Sequence, residues 1–123
     1  GDNTVAWYPN DGSAAFPQRI VIASTITRAR VVMVADIDRD GDLDVISGSV
    51  DTGIQVFLNN AGAGSFTEQL VDAAVRDTYS LQYADIDGDG DSDVVVASAG
   101  DNTVAWYRTD GGCAGKPIVN CRS

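Results

Sequence analysis

Two stretches decide the reading of this chain: VADIDRDGDLDVIS, Val34 to Ser47, and YADIDGDGDSDVVVAS, Tyr83 to Ser98. Each contains a nine-residue run of the form D-x-D-x-D-G-D-x-D, followed by small and β-branched residues. In the first run, Asp36, Asp38, Asp40 and Asp44 occupy positions 1, 3, 5 and 9; in the second, Asp85, Asp87, Asp89 and Asp93 do. Alternating Asp residues in a tight loop turn their carboxylates towards one centre, and a hard cation such as Ca²⁺ takes six to eight oxygens. Gly41 and Gly90 at position 6 permit the sharp turn. Asp42 and Asp91 at position 7 are expected to offer backbone carbonyls, and position 9 to bind through both carboxylate oxygens. The reading is two Ca²⁺ sites, with Mg²⁺ disfavoured because it prefers to keep its waters. An EF-hand shares the first half of this pattern but needs a Glu at position 12, where this chain has Ser47 and Val96 between β-branched flanks.

Outward from the loops, the chain repeats. GDNTVAWY stands at Gly1 to Tyr8 and again at Gly100 to Tyr107, with a diverged DTGIQVFL at Asp51 to Leu58 between them. The Asp loops recur at an offset of 49, and FPQRIV (Phe16 to Val21) recurs as FTEQLV (Phe66 to Val71) at 50. A period of 49–50 residues suits one four-stranded propeller blade. Within a period, strands are expected at Val31 to Ala35, Val45 to Ser49, Ile54 to Leu58 and Phe66 to Val71. No stretch carries a capped 3.6-residue apolar period, so the expectation is all-β, with blades of four antiparallel strands and almost no helix. Residues 1–22 then read as a half blade, 30–71 as a full blade and 80–107 as a partial one. In the first of these, strands are expected at Val5 to Tyr8 and Phe16 to Ile22. About two repeats do not close a ring. Further blades are expected from a longer chain or from other copies of this one, since open sheet edges seek partners.

These residues resemble the FG-GAP or VCBS-type repeat of integrin α-like propellers and many secreted proteins. The resemblance rests on ADIDGDGDSDVVVAS and GDNTVAWY and covers residues 1–110; the tail, 111–123, lies outside it. It implies a β-propeller with each Ca²⁺ held between the first and second strands of a blade by the Asp positions named above. Arg39, where the second loop has Gly88, departs from the pattern and is expected to weaken the first site slightly.

Composition narrows the function. The formal charge is −10, and ten of the 18 acidic residues sit in the two loops; two Ca²⁺ would bring the sum to −6. Such acidity argues against nucleic acid, which needs clustered Lys and Arg. No run approaches the ~18 apolar residues of a membrane helix. Histidine is absent, which removes Ser-His and Cys-His nucleophiles, histidine zinc sites and histidine bases together. With no initiator Met and no signal-peptide pattern, the chain reads as a processed form or a piece of a longer protein. Cys113 and Cys121 fit no zinc spacing; they are either two thiols or a disulfide, whose nine-residue loop contributes about 2.5 kcal/mol in the chain-entropy model. A disulfide, like a need for abundant calcium, points to an extracellular or secreted setting.

Trp7 and Trp106 head the aromatic residues. Neighbours on a strand face opposite sides, so one of each Trp-Tyr pair packs between blades while the other is free to stack on a sugar ring. Ordinary blade packing is the competing account, and Val56 and Phe57 replace the pair in the middle repeat. The expected function is a non-catalytic, calcium-stabilised module for adhesion, carbohydrate binding or assembly, with glycans or a cell-surface protein as partners. The alternatives are a structural subunit of a fibre or surface layer and a non-catalytic part of a secreted polysaccharide-active enzyme.

Overall fold

A computed structural model describes residues 2–60, 65–88, 90 and 92–108. Asp89, Asp91, Cys113 and Cys121, with the expected disulfide, lie outside the described residues. The described chain is all-β and contains no helix, hence none long and apolar enough to cross a membrane. Nine strands run in order: β1 (Val5–Trp7), β2 (Ile20–Ala23), β3 (Ala29–Ala35), β4 (Asp44–Ser49), β5 (Ile54–Asn59), β6 (Phe66–Asp72), β7 (Thr78–Ala84), β8 (Asp93–Ser98) and β9 (Thr103–Tyr107).

They form three separate antiparallel sheets in sequence order: β1–β2, β3–β4–β5–β6 and β7–β8–β9. None closes into a barrel; these are propeller-type blades that do not complete a ring. All six residues of β4 and the first four of β5 are buried. A strand buried on both faces reads as a continuous apolar or small-residue run rather than an alternation, which is why DVISGS and IQVF carry β-branched and small residues on both parities. Alternate residues serve opposite neighbours. Val45 and Phe57 pack with Val5 and Ile26 towards the first sheet. Ile46, Ile54 and Val56 pack with Leu81, Val94, Val96 and Tyr107 towards the third.

The sheets are also laced together by backbone. The Val50 amide donates to the Arg28 carbonyl (3.2 Å), Asp77 to Val50 (3.0 Å) and Ala99 to Asp77 (3.1 Å), while the Arg28 amide donates to Asn3 Oδ1 (3.0 Å). Arg28 and Asp77, at the same place in successive repeats, both adopt positive φ, 52° and 57°. A bidentate pair of Arg28 with Asp51 (2.7 and 2.8 Å) and an ion pair of Arg30 with Asp77 reinforce the same seam. The Tyr107 hydroxyl crosses to the middle sheet and donates to Asp72 Oδ2 (2.8 Å).

Two expectations are corrected. The strand expected at Phe16 to Ile22 is only Ile20–Ala23: Pro17 has no amide to give a ladder, and Phe16 is exposed. The alignment of FPQRIV with FTEQLV is also one residue out. Ala6 pairs with Val21 and Gln55 with Leu70, so Ile22 corresponds to Val71 and the spacing is 49. A one-residue slip would move every side chain of that strand to the other face, and burial of Val71 rather than Leu70 sets the register.

Gly48 of β4 lies directly against Thr78 of the third sheet. A Cβ there would lie 2.5 Å from Thr78 Cγ2 and 3.0 Å from Val31 Cγ1, and Thr78 is fully buried. Gly48→Ala is expected to cost about 1–3 kcal/mol by overpacking, read from the urea midpoint. Gly48→Ala combined with Thr78→Ser, which removes the opposing methyl, is expected to recover part of that loss; strict additivity of the two changes would refute this packing account.

Candidate metal centres

Each Asp loop hangs between the first and second strands of a sheet. The pairs Ala35↔Asp44 and Ala84↔Asp93 close the two loops at their base. Position 9 is therefore also the first residue of a central strand, and Asp44 and Asp93 are fully buried. Burial of a carboxylate is costly unless its oxygens are bonded, and here they are. Asp44 Oδ2 accepts from the Ile37 amide (2.7 Å) and Oδ1 from the Asn59 amide (2.8 Å) at the end of β5. Asn59 returns the tie through Nδ2 to the Leu43 carbonyl (3.1 Å). Asp93 Oδ2 likewise accepts from the Ile86 amide (3.2 Å).

The position 1 carboxylate folds the loop over itself. Asp36 accepts from the amides of Asp40 (3.1 Å) and Gly41 (3.0 Å); Asp85 accepts from those of Gly88 (2.8 Å) and Gly90 (2.9 Å). Gly41 and Gly90 have φ of 96° and 93°, and a Cβ at either would meet nothing within 4 Å. Glycine stands there for its backbone conformation, not for space. Position 4 is left-handed in both loops: Gly88 at φ 75° adopts this freely, whereas Arg39 at φ 62° carries the penalty of a side chain in that region.

The result is convergence of acids. Asp36, Asp38 and Asp40 place one carboxylate oxygen each within 4.8 Å of one another, and so do Asp85, Asp87 and Asp93. The Asp42 carboxylate is not in the first group. Burial, then the charge of Asp44, pushes the Asp38 carboxyl above the ordinary carboxylate value; burial does the same to Asp44. A donor set of carboxylate oxygens, with no nitrogen or sulfur, fits a hard cation and not zinc. The residues present thus fit a divalent ion of the calcium class.

Sequence reasoning assigned Asp44 as a ligand and missed its second role, as the brace that ties the loop to β5. The signal was present in Asp at the first position of a strand otherwise built of β-branched and small residues. Also unforeseen is the Tyr83 hydroxyl, which donates to the Asp36 carbonyl (3.3 Å) and fastens the first loop to the following sheet. Of the aromatic candidates, Trp7 is about one-third exposed and Trp106 half-buried, while Tyr107 is the partner that packs between sheets.

Comparison with known families gives one result: the FG-GAP-like repeat matches residues 1–47 and 36–96. The chain belongs to that repeat family. Its repeats are typically non-catalytic binding or structural units of extracellular proteins. No curated protein and no solved structure matches the chain.

Asp38 holds a proton more tightly in the metal-free fold than its ordinary value of 3.8, so the folded state binds more protons than the unfolded one just above that pH. Its contribution to stability therefore declines as pH rises from about 4 through the raised value. Relative to wild type in EDTA, Asp38→Asn is expected to gain melting temperature at pH 7 and not at pH 4. A difference independent of pH would contradict the assignment.

Proposed function

Proceeding from membership of the FG-GAP-like repeat family, we propose that this chain is a calcium-stabilised, non-catalytic module of an extracellular protein, serving binding or assembly. The observation that carries the reading is the twofold recurrence of three converging carboxylates at repeat-equivalent places, each between the first and second strands of a sheet. Asp36, Asp38 and Asp40 would hold one ion, with Asp44 behind them. Asp85, Asp87 and Asp93 would hold the other, with Asp89 completing the pattern in sequence. A bound divalent ion supplies the positive charge that lets these acids stay ionised at close range.

The role of the metal is structural. Asp44 ties its loop to β5, and Tyr83 ties the loop to the next sheet, so an ion that orders the loop stabilises both the blade and its junction. Ligand that binds only the folded state stabilises by mass action, about 2.7 kcal/mol at a hundred times its dissociation constant. Assembly is favoured over carbohydrate stacking, because Trp7 lies on the wall of an apolar cavity between sheets rather than on an open platform.

Chelation by EDTA is expected to lower the melting temperature, with calcium restoring it better than magnesium. An unchanged melting temperature after verified removal of metal would refute the structural role. Within the first loop, Asp40→Ala is expected to weaken calcium binding, measured by titration calorimetry, at least about tenfold more than Asp42→Ala, since Asp40 donates a side-chain oxygen and Asp42 only its carbonyl. Equal losses would overturn the assignment of loop positions.

A further inference from the structure

The first Asp loop rests on the base of the second. The Asp36 carbonyl accepts from the Tyr83 hydroxyl of β7 (3.3 Å). Ile37, next in the chain, is 1% exposed and shares a core with Val94 of β8. Tyr83 packs against that same core and is the ladder partner of Val94. The next pair along the ladder, Ala84↔Asp93, closes the second loop. Tyr83 stands two residues before Asp85, at position 1 of that loop, and Val94 directly follows Asp93, at position 9. One side chain and one packed contact thus separate the carboxylate group of Asp36, Asp38 and Asp40 from that of Asp85, Asp87 and Asp93.

The hydroxyl is particular to this junction and not a consequence of the repeat. Val34 holds the place of Tyr83 in β3, pairing with Val45 as Tyr83 pairs with Val94, and valine has nothing to donate. Asp36 is held from two directions: its carboxylate accepts from the Asp40 and Gly41 amides of its own loop, and its carbonyl accepts from the neighbouring sheet. Whatever orders the carboxylates of the first loop therefore also fixes the acceptor of the Tyr83 hydroxyl. At the far side, the end of β7 leads directly into Asp85, which accepts from the Gly88 and Gly90 amides, and Ile86, which donates to Asp93. Coupling between sites needs a contiguous packed path of this kind, and order gained at one end is freedom that the other end no longer loses on binding.

We infer that Tyr83 is a positioning residue that couples the two calcium sites, so that they fill with positive cooperativity. The inference rests on the calcium reading of the loops and deepens it, since that reading holds equally for two independent sites. By linkage the coupling is reciprocal: occupation of either loop strengthens the other by the same factor.

Titration calorimetry of the whole chain with calcium chloride measures that factor. Asp87→Ala leaves only the first site and Asp38→Ala only the second. The overall constant for two ions in wild type, divided by the product of the two single-site constants, is the coupling factor, expected to be at least about fivefold. The same set is measured with Tyr83→Phe, which removes the hydroxyl and keeps the ring. The factor is then expected to fall at least about threefold. Charge effects of the loop substitutions are common to both sets and cancel. A hydroxyl that serves packing alone would lower the melting temperature and leave the factor as it was. Two ions bound by wild type with a factor near one would overturn the coupling whatever Tyr83→Phe does, and so would a smaller fall in that variant; in either case the calcium reading stands. Wild type that takes up no calcium would remove both.

Discussion

A sheet with two apolar faces must be covered on both, and the rest of this structure depends on that constraint. The central strands of the middle sheet meet it: β4 and β5 send Val45 and Phe57 one way and Ile46, Ile54 and Val56 the other, and both sets are buried, whereas β3 leaves Val32 and Val34 exposed. Burying such side chains is worth about 1.5–3 kcal/mol each, so the stacking of sheets is the main source of stability. The backbone ties from Asn3 through Arg28, Val50 and Asp77 to Ala99 add direction to this packing, fixing how each sheet sits on the next.

The Asp loops are subordinate to the same packing. Their bases are anchored by fully buried Asp44 and Asp93, which stand at the start of central strands, and their backbones are drawn in by position 1 carboxylates. Carboxylates converge because the strands hold the loop ends a fixed distance apart, not because acids attract. The raised Asp38 and Asp44 carboxyls record the cost of that convergence. An ion of opposite charge converts the cost into cohesion, and through Tyr83 the gain reaches the junction between sheets.

Much of this was legible in the sequence because the repeat is short-range information. The loop pattern, its glycines and the strands that flank it are written in consecutive residues, and their periods of two and of about fifty are read without tertiary knowledge. Where the reading slipped, long-range pairing was responsible. FPQRIV and FTEQLV look alike at an offset of 50, but the ladder with β1 and β5 sets the offset at 49. Asp44 could be placed at position 9 from spacing; that its second oxygen is committed to Asn59, fifteen residues on, required the sheet.

The octapeptide GDNTVAWY separates the two kinds of information cleanly. Its sequence alone determined a strand, and both copies form one, with Asn3 and Asn102 each in the left-handed conformation that a short polar side chain tolerates. Sequence did not determine which side chains are inside. Val5 is 4% exposed and its identical counterpart Val104 76%; Tyr8 is 52% exposed and Tyr107 fully buried. Local preference depends on the eight residues themselves, which are the same. Burial depends on the sheet that lies against them: the first copy packs Val5 with Ile26, Val45 and Phe57 of the next sheet, while the second packs Tyr107 onto the sheet before it, and only the tertiary structure supplies those neighbours.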